Sequence, residues 1–546
     1  MGVLGGRDVR RSIDNALLRW QGRLDGDAAD RWLPWAIAAA QAICLSALAL
    51  ARVRSLEAGA DLATYAQAAW LIGRGEVPHL TIPGADLLEI QSSLLFYPLA
   101  VLIRPLPTTA ALIVAQSVAI ALGVVPLWRI ARESVRLRVG GATVVVLAYC
   151  FHPAVHNINL ADFHPGALAL PALIAATRNG LAGHRARFAI WIAVAVAWRA
   201  DLAFVAFGLG GYVAWKGQRR VGLAVAGSAL TWLGLVAALG GLGAATGLSG
   251  GSGAAAAQPE TALDVLARLF TDPAGVLNAL IGSPNFEWLV YLLAPVAFLP
   301  LVTSRYLLPT LPAYLIYAVV DVPESVRRTQ LAVAILPLVV VSTTHALGRM
   351  GRISVDRVTV SSRLIGALAL TTLVFFTQDS ASSPYRHPWE LGGRDAVDQA
   401  RLEAVRDIPR TLDVRASASM LPEISERHGL LLLETGEEPD VALALAGSPD
   451  AIVVDGEEIE HWTLPQRDEF AGGLRFAGYE VDFDREGVTR YVRPDEDGRS
   501  PVPGGELDAG TDGVGPGGGA PDDATPDDAS SDATLTDTSS DDASTG

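Results

Sequence analysis

Cysteine, lysine and mid-chain charge are the scarce components of this 546-residue chain. Its two cysteines, Cys44 and Cys150, both sit in apolar runs where a thiol reads as a small buried hydrophobe. That excludes a disulfide framework and a CxxC metal or redox site. Lys216 is the one lysine, so nearly all positive charge is arginine. No Walker loop, no GxGxxG opening a helix, no HExxH and no GxSxG stands in a usable context. Soluble nucleotide chemistry and serine hydrolysis are therefore without support, and nucleic acid is not an expected partner.

What is present is apolar length. Half of the residues are hydrophobic and 18% are charged, and the apolar ones concentrate between Trp32 and Phe376 in long runs poor in charge. This is the composition of a polytopic α-helical membrane protein. The formal net charge of −16 would suit a soluble acidic protein, but Asp and Glu crowd the last third, as at Asp522-Asp523, Asp527-Asp528 and Asp541-Asp542. Residues 1–31 are polar and carry Arg7, Arg10, Arg11, Arg19 and Arg23, and no small-residue cleavage site follows the first apolar run. An uncleaved anchor with a cytoplasmic N-terminus is expected.

A span needs roughly 20 apolar residues, and cytoplasmic loops collect Arg and Lys, so spans and orientation can be assigned together. The first span is expected at 33–52, with 53–91 outside. The run 92–103 ends in Arg104-Pro105-Leu106-Pro107, is too short to cross and is read as re-entrant, whereas 109–130 crosses to Arg129, Arg132, Arg136 and Arg138. Runs at 139–155, 166–178, 188–198, 202–215, 221–246, 288–304, 306–320, 330–347 and 361–377 then give about eleven crossings. Basic loops fall inside at nearly every turn. Arg327-Arg328 is the exception, placed outside.

Residues 32–377 thus form the transmembrane domain. Residues 378–494 read as a small extracytoplasmic α/β domain, with a helix at 392–407 and strand-like runs Val414–Ser419, Leu430–Leu433, Ala451–Val454 and Tyr479–Phe483. Residues 495–546 are rich in Gly, Pro, Asp, Ser and Thr, so a disordered acidic tail is expected.

The polar residues of the outer side are the candidates for chemistry. Asp61 opens an amphipathic stretch, Asp61–Trp70, that suits the membrane interface. A helix N-cap explains it as readily as catalysis does. Asp86, Glu89 and Gln91 precede the re-entrant run. His152, His156, Asp162 and His164 share one loop; His and carboxylate are ligand types of divalent metals, but the spacing matches no zinc signature. Asp162 and His164 are the residues a metal would take, and capping or phosphate binding through a protonated imidazole stands beside that reading. Arg199 and Asp201 mark a turn between two apolar runs. Their i,i+2 spacing does not bring them together on a helix face, so a solvated turn and a pocket role are both open.

In order along the chain, Asp61 to Trp70, Glu89-Ile90-Gln91-Ser92-Ser93-Leu94, Asn159-Leu160-Ala161-Asp162-Phe163-His164-Pro165 and Trp198-Arg199-Ala200-Asp201 resemble the motifs of the membrane-protein family known as domain of unknown function 2079. The likeness runs over most of 55–495, including Val414–Ser419 and Arg490–Arg493. That family in turn resembles the C-type glycosyltransferases, multi-span GT-C enzymes that use polyprenyl-phosphate-linked donors. The resemblance implies a GT-C-like fold and transfer of a sugar from a polyprenyl-phosphate donor, with membrane lipids around it, to an extracytoplasmic acceptor. It implies Asp61 as catalytic residue, with Glu89, Gln91, Asp162, His164, Arg199 and Asp201 binding substrate and a divalent metal as an optional cofactor. A transporter or flippase is the rival from another class, and a non-catalytic scaffold a third. The chain departs from the family at Glu89-Ile90-Gln91, where an Asp-His pair is usual, at Arg199-Ala200-Asp201, where Lys-Glu commonly precedes the acid, and at Thr329-Gln330, where a His-Tyr is common. If the missing histidine is a phosphate or metal ligand, these departures imply a different substrate or lost activity.

Overall fold

The computed structural model describes residues 25–238, 267–268, 271–319, 323–354, 356–384, 392–494 and 500–502. The tail expected from 495 onward, apart from 500–502, and Gly250-Gly251-Ser252-Gly253 lie outside the described residues.

Among the described residues five helices are long and apolar enough to cross a bilayer: Asp27–Arg54, Thr108–Ser134, Val139–Leu160, Arg219–Ala238 and Glu324–Met350. The pair Ser283–Val296 and Leu299–Tyr306, bent by 107°, adds a sixth if counted as one crossing, and Ala200–Trp215 and Leu308–Val319 are shorter apolar helices. The outward faces carry large apolar side chains, such as Ile190, Trp215, Leu223 and Leu370, each more than half exposed. In water such a surface would associate; in lipid it is already solvated. The run read as re-entrant is an eight-residue helix, Phe96–Ile103, whose Val101 and Leu102 are exposed.

Contacts sort the helix ends into two groups. At one end Arg132 bonds Asp30 and Asp25 at 2.6 and 2.7 Å, Arg178 pairs with Glu133, and Lys216 lines a cavity with Glu133, Arg178 and His184. At the other end Arg52 approaches Asp162, Asn157 bonds the Asp379 carbonyl, Arg327 bonds Asn285, and Arg394 bonds the Arg54 carbonyl. Arg327-Arg328 is thus accommodated at this second end by named partners: Asn285 for Arg327, and Glu324 with the Tyr291 ring for Arg328.

With no hydrophobic drive between helices in lipid, close backbone approach does the packing. Helices Ala203–Trp215 and Arg219–Ala238 show this. A Cβ on Gly222 would stand 2.4 Å from the Ala214 nitrogen, and one on Gly210 would stand 2.7 Å from the Gly222 oxygen. Gly222→Leu should force the helices apart and lower stability by about 2 kcal/mol or more. A thermal melt of the purified variant in detergent that coincides with wild type would refute this.

The C-terminal part forms a five-stranded mixed sheet in the spatial order Leu430–Leu432, Val414–Ala416, Ala451–Asp455, Val488–Val492, Glu480–Arg485. Among the described residues the first four strands are two short hairpins, β1 (His79–Leu80) with β2 (Ala85–Asp86) and β3 (Arg352–Ser354) with β4 (Arg357–Thr359). In the large sheet β5 (Val414–Ala416) runs parallel to β6 (Leu430–Leu432) and β7 (Ala451–Asp455), while β9 (Val488–Val492) is antiparallel to β7 and β8 (Glu480–Arg485). Every side chain of β7 is buried, as a central strand covered on both faces requires. One face packs under helix Ala396–Arg406 in a cluster that also takes in Ala63, and the other packs under helix Leu464–Phe476 with Trp462 and Phe470. The second helix was not anticipated, although Thr463 and Gln466 form a capping box at its start. Gln67 seals the join to helix Ala60–Arg74 by donating to the Arg427 and His428 carbonyls at 3.1 and 2.9 Å.

Candidate functional site

Asp61 lies in the first turn of helix Ala60–Arg74, where the helix dipole favours an acid, and makes no side-chain cap. The cap comes from elsewhere: Asp162 Oδ2 accepts from the Gly59 N–H at 2.9 Å. A Cβ on residue 59 would sit 3.0 Å from that oxygen, so glycine leaves the room. Asp162 itself has φ +57°, a left-handed conformation that Asp tolerates better than most residues. Arg52 Nη1 stands 3.5 Å from its other oxygen. Burial raises the Asp162 carboxyl above its ordinary range, and Arg52 pulls the other way.

Freed from capping, Asp61 faces His164, with Oδ2 3.7 Å from Nε2. The two differ sharply in exposure, 45% for the Asp61 side chain and 8% for that of His164. Crowding by surrounding helices lifts the Asp61 carboxyl to about 6, and burial pulls the His164 imidazole down to about 4. The carboxylate still meets solvent, which softens its shift, so Asp61 is ionised and His164 neutral near pH 7. Burial thus holds the ring neutral, whereas one of the readings open for this loop calls for a protonated imidazole. Gln116 fixes the loop, accepting from the His164 N–H and donating to the Asp162 carbonyl, both at 2.8 Å. Gln330 Nε2 lies 3.4 Å from His164 Nε2.

One helical turn after Asp61, Tyr65 is on the same face and donates to Gln91 Oε1 at 2.7 Å. Burial, with the Asp61 charge, keeps the Tyr65 phenol protonated. Its ring packs with Phe96 and Phe163 at centroid distances of 5.7 and 5.5 Å, so an aromatic wall stands beside the carboxylate.

Arg199 and Asp201 are both fully buried, which overturns the solvated turn. The helix ends at Trp198, Arg199 is extended (φ −156°, ψ 123°), and a 3-10 turn begins at Ala200. This break turns the two side chains toward each other despite the i,i+2 spacing, giving Nε to Oδ1 at 2.5 Å and Nη2 to Oδ2 at 2.8 Å. Tyr317 donates to Asp201, and Arg199 Nη1 donates to the Gln330 carbonyl at 2.7 Å. That carbonyl belongs to a π turn, Arg327–Leu331.

The structure brings Asp61, Gln91, Asp162, His164, Arg199 and Asp201 together at one end of the bundle and leaves Glu89 out. Glu89 is exposed and closes a capping box with Asp86. His152 and His156 are also elsewhere: their Nε2 atoms meet the Leu292 and Cys150 carbonyls at 3.1 and 2.8 Å. Tyr65, Gln116, Tyr317 and Gln330 join the site unanticipated. Two of the chain's departures from the family pattern, Gln91 and Gln330, are therefore partners inside it. Among the described residues no three His, Cys, Asp or Glu side chains converge. Asp61 and His164 present one carboxylate and one imidazole here, while one Asp162 oxygen is taken by the Gly59 N–H.

Residues 52–489 match the family described as "Predicted membrane protein (DUF2079)". No curated protein matches the sequence. Solved structures of similar shape include ArnT from Cupriavidus metallidurans in the apo state, 13% identical, with 85% of this chain and 98% of that one covered at a TM-score of 0.49. ArnT from the same organism bound to undecaprenyl phosphate is 12% identical, with 84% and 97% covered at a TM-score of 0.49.

Proposed function

The chain belongs to the DUF2079 family of membrane proteins, matched over 52–489, and on that footing we propose that it transfers a sugar from a polyprenyl-phosphate-linked donor to an extracytoplasmic acceptor. One observation carries the reading. Asp61 is a solvent-reached carboxylate set against a buried neutral imidazole and an aromatic wall, where an acceptor proton and a sugar ring can meet.

In this reading Asp61 orients an acceptor hydroxyl or amine and takes its proton. The acceptor oxygen or nitrogen bonds to the anomeric carbon as the bond from that carbon to the phosphate oxygen breaks, and polyprenyl phosphate leaves with the electron pair. His164 meets the phosphate by taking up a proton when the anion arrives, since a nearby negative charge favours imidazolium. Arg199, already committed to Asp201 and Gln330, braces the floor. By the positive-inside rule the end with Arg132, Arg178 and Lys216 is cytoplasmic, which puts Asp61 and the sheet outside. Counting the bent pair and the two shorter apolar helices as crossings gives eight among the described residues, and adding helices Leu170–Ala182, Arg185–Trp198 and Ser362–Asp379 would bring the number to about eleven, with the C-terminus outside.

The test is turnover and donor binding by the full chain in nanodiscs against a panel of polyprenyl-phosphate sugars. Turnover should rise with pH through about 6 as Asp61 ionises. Donor binding should run the other way, tightening as pH falls, because His164 takes up a proton; His164→Ala should weaken binding and flatten that dependence. No binding across the panel would favour a transporter or scaffold instead.

A further inference from the structure

A concave site lies at the seam between the membrane helices and the sheet, and shares no residue with the group around Asp61. It is a cavity of about 600 Å³ formed by Pro107, Thr108 and Thr109 at the start of a helix and by Arg394, Arg406, Arg410 and Arg427, with Glu423 and Glu426. Four arginines and two glutamates thus line it. Glu426 is already engaged, bonding Arg410 at 2.9 Å and accepting from the Thr108 hydroxyl at 3.0 Å. The Arg406 guanidinium is exposed and makes no ion pair or hydrogen bond among the described residues.

Arg427 is the deepest of the four, 2% exposed. Its hydrogen bonds go to the carbonyls of Ile424, Leu412 and Pro409, at 2.8, 3.1 and 3.4 Å, and among the described residues no carboxylate stands in salt-bridge range. A buried cation balanced only by carbonyl dipoles is an uncompensated charge. Burial first, then the neighbouring Arg410, pulls this guanidinium down to about 10, with Asp413 offsetting part of the effect. Helix Thr108–Leu122 adds to the positive field, because its N-terminus has no side-chain cap and its first residues line the cavity.

The location narrows the ligand. Thr108 begins a candidate span, so the cavity is at the boundary between water and lipid. Beside it Val101, Leu102 and Leu106 are exposed at 60%, 74% and 55%, an apolar surface suited to acyl chain. We propose that this cavity binds the phosphate of an anionic lipid headgroup, with Arg406, Arg410 and Arg427 around the phosphate and the chains running down past Leu102.

The experiment measures lipids retained by the full chain, by native mass spectrometry, after extraction from nanodiscs of phosphatidylglycerol or of phosphatidylcholine. A parallel arm titrates inorganic phosphate into detergent-purified protein and follows the melting temperature. Phosphatidylglycerol should be retained in preference to phosphatidylcholine, and Arg406→Gln and Arg427→Gln should each cut that retention about fivefold. Arg406→Gln keeps the test open if the buried variant fails to fold. Equal retention of the two lipids would overturn the proposal. So would a preference that survives both substitutions, which would place the lipid on the basic loops at the opposite end. A response to inorganic phosphate, lost in the variants but without lipid preference, would overturn the headgroup as the source and make the ligand a free phosphate.

Discussion

Asp61→Asn should lower transfer by about 10²–10⁴-fold while the protein folds and melts slightly higher than wild type. The two halves of this expectation come from one property. The Asp61 carboxyl is held at about 6 rather than its ordinary 3.8 because surrounding helices exclude water from part of it. For an acid raised in the folded state, the folded protein holds its proton more tightly than the unfolded chain does. The group therefore costs stability as pH rises from about 4 through about 6, and the full cost is present at pH 7. Asparagine keeps the shape and removes the charge, so the cost disappears. The gain is small, because 45% of the side chain meets solvent. The loss of rate is large, because the amide accepts no proton from the acceptor. Turnover, donor binding and melting temperature should be read on the same preparation. Wild-type turnover in Asp61→Asn would sink the base assignment, and a lower melting temperature would mean that the carboxylate serves the fold.

The sequence made the ends of the helices legible for a simple reason: arginine-rich loops and apolar runs are local signals, and each can be read without its neighbours. Arg132 and Lys216 fall at the same end in space as in the charge pattern. The site was only half legible. Asp61 and Asp162 were visible as outer carboxylates, but which of them capped a helix was decided by contact between segments 103 residues apart. Tyr317 and Gln330 come to Asp201 and Arg199 from 116 and 131 residues away, inside or beside apolar runs that give no polar signal. Tyr65 did carry one, since it lies four residues after Asp61 and so on the same helical face. The pairing of Arg199 with Asp201 defeats a helical reading of spacing, because it depends on the helix breaking at Arg199 itself.

That pair yields the largest expected effect on the fold. Asp201→Asn should destabilise the protein by about 3–5 kcal/mol, because it leaves the Arg199 cation buried without its counter-charge. Both side chains are sealed from solvent, and Asp201 receives two guanidinium N–H groups and the Tyr317 hydroxyl. An amide supplies one oxygen where there were two and turns an NH₂ donor toward donors, so an electrostatic loss and an unmet hydrogen bond coincide. Removing both charges tests whether the pair, and not either residue, is responsible. Arg199→Met with Asp201→Leu should be less damaging than Asp201→Asn alone, since replacing a whole buried pair by apolar groups is often near neutral. Donor binding should fall with unfolding and recover with it in the double variant, to the extent that Arg199 braces the floor and does not grip the phosphate. A double variant that refolds but binds no donor would instead return Arg199 to the phosphate, and a wild-type melt for Asp201→Asn would show that the pair is not the support its burial implies.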